Sequence, residues 1–368
     1  MEIIDILSIN PQDNITLVQQ LKQQITWLIV NGKIKAGDQL PSIHAIASRL
    51  DINLQTARSA YKKLEADGLV TSRPGRGTHV LPFDLSRFSQ SAASNRSHTV
   101  GVLIPSWSNP FYHAFLQGVE QIAEEDQTLL FLCNTHDDPN TIWRDYARLS
   151  AKQVDGILVA SYDASEVLDP MQAGALPLVT VDWPASRGYS VQIDLVSAGY
   201  QATRHLVEHG HSRVGLITVS MEAANVNDIN RGYEQALSET GQAIDGRLIA
   251  RVPGFSFSNG IEGVCRLLKV EKPPTAIFCA SDTLALGAMQ MIKQSGLKIP
   301  SDVALASFND IPSAVLVEPP LTTVSAPTIQ MGQEAMRMLQ TLIDGKKPKK
   351  DRVILPPALV IRESCGAH

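Results

Sequence analysis

At 368 residues, 44% hydrophobic and 19% charged, the chain has the composition of a soluble globular protein and is too long for one compact domain, so two or three units are expected. Only 5% is aromatic, and no apolar run reaches the roughly 18 residues of a membrane span. The net charge of −5 argues against indiscriminate nucleic-acid binding by the whole chain, but that charge is unevenly spread. From Lys33 to Val80 eight Lys/Arg stand against four Asp/Glu, a local +4 that leaves −9 for the remainder. A small basic module on an acidic body suits localised contact with a polyanion, although ordinary surface variation gives the same numbers. The four cysteines (Cys133, Cys265, Cys279, Cys365) are far apart with no CxxC pattern, so no zinc site, disulfide framework or other cofactor is expected. The N-terminal MEIIDILSINPQDN lacks the basic and apolar regions of a secretory signal, and a cytoplasmic location is expected.

Leu17, Leu21, Ile25, Leu28 and Ile29 recur at helical spacing and predict a helix over 16–31, stopped by Gly32. After the turn Ala36-Gly37-Asp38, Ser42 is placed to cap a short helix with Ile43, Ile46, Ala47 and Leu50 inward. Asp51-Ile52 leaves room only for a tight turn. Asn53 then caps a helix over 54–67, buried through Ala57, Tyr61 and Leu64 and closed by Gly68. Two short helices across so tight a turn predict a helix-turn-helix, whose second helix enters the major groove. LVTS and THVL flank Arg73-Pro74-Gly75-Arg76-Gly77 and predict a hairpin wing. Glycines let such a tip approach a phosphate backbone, and arginine favours the narrow minor groove. Strands on both sides, with no helix following, count against a nucleotide-cradling loop.

Four segments, GKIKAGDQLPS, AIASRL, NLQTARSAYKKLEADGLV and RPGRGTHV, together resemble the GntR-type (gluconate-repressor) winged helix-turn-helix over about Asn14 to Leu81. By matched position the resemblance implies DNA contacts at Leu54, Gln55, Thr56 and Arg58 in the recognition helix and at Gly75 and Gly77 in the wing. Lys62, Arg73 and Arg76 add basic charge, or form a merely solvated face. His44 and Leu54 stand where the family usually has arginine. Base readout then shifts to Gln55, which suits adenine, and to Arg58, which suits guanine or phosphate.

The Ser/Asn/Gln-rich stretch 82–97 reads as a linker. Beyond it, strand patterns over 99–104, 129–134, 156–160, 178–181, 214–217, 276–279 and 303–308 alternate with helix patterns such as 111–125, 196–209 and 283–295. Such alternation predicts an α/β fold of parallel sheets wrapped by helices, with ligands at the carboxyl ends of strands. Those ends carry Ser106-Trp107-Ser108-Asn109, Phe111, Asp182-Trp183, Ser281-Asp282 and Asn309-Asp310. Carboxylates and amides beside aromatic faces suit a polyhydroxyl ligand, although Asp, Asn and Ser also serve there as helix caps.

The segments TVGVLIPSWSNPFYHAFLQGVE, LFLCNTHDDP, QVDGILVA, LVTVDWP, HLVEHGHSRVGLI, RGYEQALSETG, PTAIFCASDTLALGAMQ, IPSDVALASFNDI and EPPLTTVSAP resemble the LacI/GalR-type effector domain, related to periplasmic sugar-binding proteins. The resemblance implies two lobes, about 99–192 and 194–321, joined by three chain crossings, with strands near Thr322–Val324 returning part of the C-terminus to the first lobe. It implies effector contacts at Ser106, Asn109, Phe111, Asp182, Ser281 and Asn309, with Trp183 beside them. Where the family often has an arginine three residues before the glycine of the RGY-like motif, Ile229 stands here. Asn309 replaces a usual aspartate, and Ser281 a frequent asparagine.

The expected organisation is a winged helix-turn-helix over 1–81, a linker over 82–97 and an effector-binding and dimerisation domain over 98–368. The expected function is a DNA-binding regulator, a repressor by resemblance, whose operator affinity is set by a sugar or sugar derivative, acting as a homodimer away from membranes. A solute-binding protein or a sugar-acting enzyme on the same two-lobed fold is the alternative. Against an enzyme, the first strand is followed by PSWSNP where a dehydrogenase would need a GxGxxG turn, and the GxSxG nucleophile motif of a hydrolase is not present.

Overall fold

A computed structural model of the protein describes residues 16–30, 33–73, 77–81, 96–161, 176–182, 188–220 and 224–366, with the single positions 7, 9, 168, 171 and 174. Gly32, Gly75, Arg76, Trp183 and most of the expected linker lie outside the described residues. The chain forms two compact units: Met1–Arg96 with Pro170–Leu176, and Ser97–Asp169 with Pro177–His368.

In the first unit, α1 (Leu17–Val30) buries Leu21, Ile25, Leu28 and Ile29 along one face. Helix α2 (Ile43–Arg49) begins at Ser42, whose Oγ accepts the Ala45 N–H at 3.1 Å. Helix α3 (Leu54–Ala66) begins at Asn53, whose Oδ1 accepts the Gln55 N–H at 2.7 Å. Each cap answers an amide that has no intrahelical partner. Between the two helices the chain turns sharply at Asp51, with φ +50°. Tyr61 ties α3 to the start of α2, its hydroxyl donating to the Pro41 carbonyl at 2.6 Å. Strands β1 (Val70–Arg73) and β2 (Gly77–Val80) pair antiparallel from Val70–Val80 to Arg73–Gly77. Gly77 holds φ +80°, a conformation that side chains disfavour.

The second unit starts with β3 (Thr99–Ile104), α4 (Pro110–Glu125), β4 (Leu129–Asn134), α5 (Pro139–Ala151), β5 (Gly156–Ala160), β6 (Leu178–Val181) and β7 (Tyr189–Ile193). Asp194 then leads into α6 (Leu195–Glu208), β8 (Val214–Val219), α7 (Ala224–Glu239), β9 (Ile249–Val252), α8 (Phe257–Leu268), β10 (Ala276–Cys279), α9 (Asp282–Gln294), β11 (Ala304–Asn309) and β12 (Thr322–Ser325). The chain ends through α10 (Thr328–Ile343), β13 (Arg352–Leu355) and β14 (Ala358–Val360).

Two six-stranded sheets result, ordered β13-β7-β6-β5-β3-β4 and β14-β12-β11-β10-β8-β9. The first is parallel throughout, and in the second only β14 runs antiparallel. The chain therefore changes lobe at Asp194, again between β12 and α10, and a third time between β13 and β14. The strand patterns read from the sequence all form strands to within two residues, while β7, β9, β13 and β14 were not foreseen. β13 and β14 are short, and their pairing partners lie far away in sequence.

Helices cross closely through reciprocal glycines. A Cβ on Gly199 of α6 would collide with the Ile229 carbonyl of α7, and one on Gly232 of α7 with the Val196 carbonyl of α6. The same exchange joins α4 to α10 through Gly118 and Gly332, and α8 to α9 through Gly260 and Gly287. Because backbone meets backbone, a methyl group has no side chain to push aside. Gly232→Ala is expected to lose about 1–3 kcal/mol of stability by overpacking, read as a lower unfolding midpoint in a denaturant titration.

Candidate functional site

Two surfaces carry chemistry, one in each unit. In the first, Ala57, Ala60, Tyr61 and Leu64 take the inner face of α3. Helical spacing then turns Gln55, Arg58 and Lys62 outward together, and all three are exposed. Arg58 donates from Nη1 to the Gln55 Oε1 at 3.4 Å. Leu54 and Thr56, at the start of the same helix, are half-buried. His44 on α2 is exposed, as are Arg73 and Gly77 at the inner ends of the hairpin strands. The Ser72 N–H donates to Glu65 Oε1 at 2.8 Å, which ties the hairpin to α3. The result is a cationic, hydrogen-bonding helix face anchored to a wing, suited to a groove and its phosphates. Gly75 and Arg76 lie outside the described residues.

In the second unit, strand ends from both sheets line a cleft that is open to solvent. Its polar lining is Asn109, Asp182, Thr218, Ser281, Thr283 and Asn309. Its apolar lining is Phe111, Leu195, Val226, Ile229, Phe255, Ala280 and Phe308. Of the expected ligand contacts, Asn109, Phe111, Asp182, Ser281 and Asn309 thus meet in one place. Ser106 is not among the lining residues; its hydroxyl pairs with that of Ser108 at 2.8 Å inside the turn. Trp183 lies outside the described residues. Asn109 and Ser281 also cap helices, accepting the Phe111 and Leu284 amides at 3.1 and 3.3 Å. Capping and lining are compatible, since both follow from a strand that runs into a helix N-terminus.

Sequence reasoning passed over Thr218, Val226, Phe255, Thr283 and Phe308. Thr218 and Phe308 carried a findable signal, since each lies at the carboxyl end of a strand. Val226 and Phe255 come from a helix and a loop whose approach to the cleft depends on packing. The Thr218 hydroxyl is buried and makes no hydrogen bond among the described residues. An orphaned buried hydroxyl at a cleft wall has much to gain from a polar ligand. Asp182 (φ +58°), Asn309 (φ +122°) and the adjacent Asp310 (φ +62°) adopt backbone conformations that side chains rarely take. Such strain clusters where function requires a fixed geometry.

That geometry is held from behind. Asp282, the first residue of α9, accepts from the Ser307 hydroxyl, from Thr323 Oγ1 at 2.7 Å and from the Ile311 N–H at 2.7 Å. It joins α9 to β11 and to β12, which stays in the second sheet instead of returning to the first lobe as expected; the crossing follows it. Asp310 pairs with Arg362 at 2.6 Å, and Arg362 also donates to the Leu321 carbonyl at 2.8 Å. Burial pushes the Asp282 carboxyl up to about 6 despite its three donors. The folded state therefore holds the Asp282 proton more tightly than the unfolded chain between the usual carboxylate range and about 6. Its contribution favours folding at low pH and is lost as pH rises through that window. Compared with Asp282→Asn, the wild type is expected to lose stability as pH rises from about 4 to about 6; urea midpoints of both proteins across that range check it. Among the described residues no group of three His, Cys, Asp or Glu is arranged to hold a metal, and no helix is long and apolar enough to cross a membrane.

Residues 17–80 match the gntR family of bacterial regulatory proteins, and residues 203–365 match the periplasmic binding protein-like domain. The chain is 34% identical over 286 residues to the ribose operon repressor of Haemophilus influenzae, covering 77% of this chain and 86% of that protein. It is 31% identical over 330 residues to the HTH-type transcriptional repressor PurR of Aliivibrio salmonicida, covering 88% and 99%. A LacI family transcriptional regulator from Enterococcus faecium, solved with bound ribose, superposes with a TM-score of 0.65 at 26% identity, covering 72% of this chain and 98% of that one. With a GntR-type winged helix in front of a two-lobed sensor, the chain belongs to the LacI-type family of DNA-binding transcriptional regulators.

Proposed function

We propose that the chain is a cytoplasmic repressor whose hold on operator DNA is set by a small polyhydroxyl effector in the interlobe cleft. Residues 1–81 read DNA through Gln55 and Arg58, supported by Thr56, Lys62 and the wing, and residues 98–368 bind the effector and dimerise. The observation that carries this reading is the cleft itself. It draws hydrogen-bonding side chains from both lobes around Thr218, whose hydroxyl has no partner among the described residues, with Phe111 and Phe308 supplying aromatic surface. Hydroxyl pairs meet amides and a carboxylate, and aromatic faces cover C–H edges. The ribose bound to a structural relative and the naming of another as a ribose operon repressor support a sugar.

Contacts from both lobes give the effector a preferred interlobe angle, and the operator another. The two equilibria are then linked by about 1–3 kcal/mol, the usual range for such coupling. Self-association is supported by β4, an edge strand on which Leu129, Phe131 and Leu132 are 69%, 44% and 43% exposed. An exposed apolar edge is a natural surface for a second copy, and two readers suit a near-palindromic site.

Fluorescence anisotropy with an operator fragment, titrated with D-ribose and related sugars, tests the function: one of them should release the DNA, and operator affinity unchanged at saturating ligand would sink the coupling. Arg58→Ala is expected to weaken operator binding by about 1–3 kcal/mol with loss of specificity at one base pair; a uniform loss across sequences would make Arg58 a phosphate contact. Leu129→Glu combined with Phe131→Glu should shift the protein from dimer to monomer in sedimentation.

A further inference from the structure

We infer that the stretch Asp344–Arg352, between α10 and β13, is a second DNA contact, a lysine-bearing corner of the sensor that grips the phosphate backbone on the flanks of the operator. The inference rests on the reading that the chain binds operator DNA. Three observations carry it.

The first is charge. Ser97–His368 carries 21 Lys/Arg against 29 Asp/Glu, a net −8. Five of those cations, Lys346, Lys347, Lys349, Lys350 and Arg352, fall within nine residues that hold only two acids, a local +3. All five are exposed. Asp344 pairs with Lys346 at 3.1 Å, and Asp351 with Lys347 at 3.9 Å. Lys349 and Lys350 have no acid partner among the described residues. One basic corner on an acidic body suits a polyanion.

The second is position. The first sheet is parallel throughout, so its strands all start at one edge, and their carboxyl ends line the cleft on the other side. The sensor begins at that starting edge, with Ser97 ahead of β3, and the basic stretch runs into β13 at the same edge. Four strand spacings separate β13 from β3, about 19 Å. The reader is tethered here, because residues 82–95 can span at most about 50 Å. The acids of this edge lie ahead of other strands. Glu124, Glu125 and Asp126 precede β4, where Asp126 accepts from Gln340 at 2.7 Å. Asp155 precedes β5 and accepts the Ser97 N–H at 2.9 Å. With β4 as the surface between two copies, β13 is the outer end of each sheet, and its lysines meet the flanks of a shared site.

The third is rigidity. Gly345 ends α10 at φ +71°, Pro348 is buried in the middle of the stretch, and the Asp351 carbonyl accepts the Ser190 N–H of β7 at 2.9 Å. A backbone already fixed at its start, middle and end gives up little freedom on binding. Phosphate contacts carry no base readout, so the point charges of lysine suffice.

Fluorescence anisotropy of the full-length protein across a salt series tests this, on a duplex that the protein itself enriches from a random-sequence pool. The duplex is used trimmed to the enriched site and extended by one helical turn at each end. Lys349→Gln combined with Lys350→Gln should lower the slope of log affinity against log salt by about 2 on the extended duplex, and weaken binding there about tenfold at low salt. The same variant should bind the trimmed duplex as the wild type does and unfold at the same urea midpoint. Lys349→Arg combined with Lys350→Arg should keep the wild-type slope. Lys269→Gln combined with Lys298→Gln removes the same charge from exposed positions at the starting edge of the other sheet, and should also keep it. A glutamine pair with the wild-type slope on the extended duplex, or with an equal loss on the trimmed one, overturns the inference while leaving the reader as the DNA-binding surface. A wild type that enriches no duplex overturns both.

Discussion

Neighbouring strands of a parallel sheet deliver their carboxyl ends to the same edge, and two such sheets contribute those edges to a single cleft here. This constraint decides which side chains can act together. Asn109 follows β3, Asp182 follows β6, Ser281 follows β10 and Asn309 ends β11. They are separated by up to two hundred positions in the chain and share a site only because their strands run the same way. The three crossings between lobes follow from the same plan. Each lobe is completed by a strand that arrives after the other lobe has been built, β13 in the first sheet and β14 in the second. Neither lobe is a continuous stretch of sequence, and movement of one relative to the other must pass through the crossing segments.

Packing behind the cleft explains why its lining can be stiff. Reciprocal glycines bring α6 and α7 together backbone to backbone, so Leu195, Val226 and Ile229 form one surface. On the other side, Asp282 gathers donors from β11, β12 and the following turn, directly behind Ser281. The Asp310–Arg362 pair fixes the turn that carries Asn309 in its unusual conformation. Buried polar groups of this kind contribute little net energy but penalise alternative arrangements, since a displaced partner leaves a buried charge unanswered. Ser281 and Asn309 are therefore tied to β12, the strand from which the chain makes its second crossing.

The reader is built on a different economy of parts. Three short helices and a hairpin bury a small core of Leu21, Ile25, Leu28, Ile46, Ala57, Tyr61 and Leu64. Small alanines on the inner face of α3 bring that helix close to its neighbours and leave Gln55, Arg58 and Lys62 projecting. With histidine and leucine at positions 44 and 54, hydrogen-bonding capacity concentrates on the Gln55–Arg58 pair, where the two side chains already touch.

Local signals carried much of the architecture. Helices α1 to α3 were legible from apolar spacing and from the caps Ser42 and Asn53, because caps and periodicity act within a few residues. The buried strands of the two sheets were legible as apolar runs. Strand ends also pointed to Asn109, Phe111, Asp182, Ser281 and Asn309, since parallel sheets make those ends the binding edge. Other features were decided only by tertiary structure. Ser106 belongs to the same polar turn as Asn109, yet its hydroxyl closes that turn instead of lining the cleft. Val226, Ile229 and Phe255 reach the cleft from elements whose approach is set by glycine-mediated helix contact and chain crossing. A residue's type and its neighbours in sequence determine which helix or strand it joins; which cavity it faces depends on contacts with residues far along the chain.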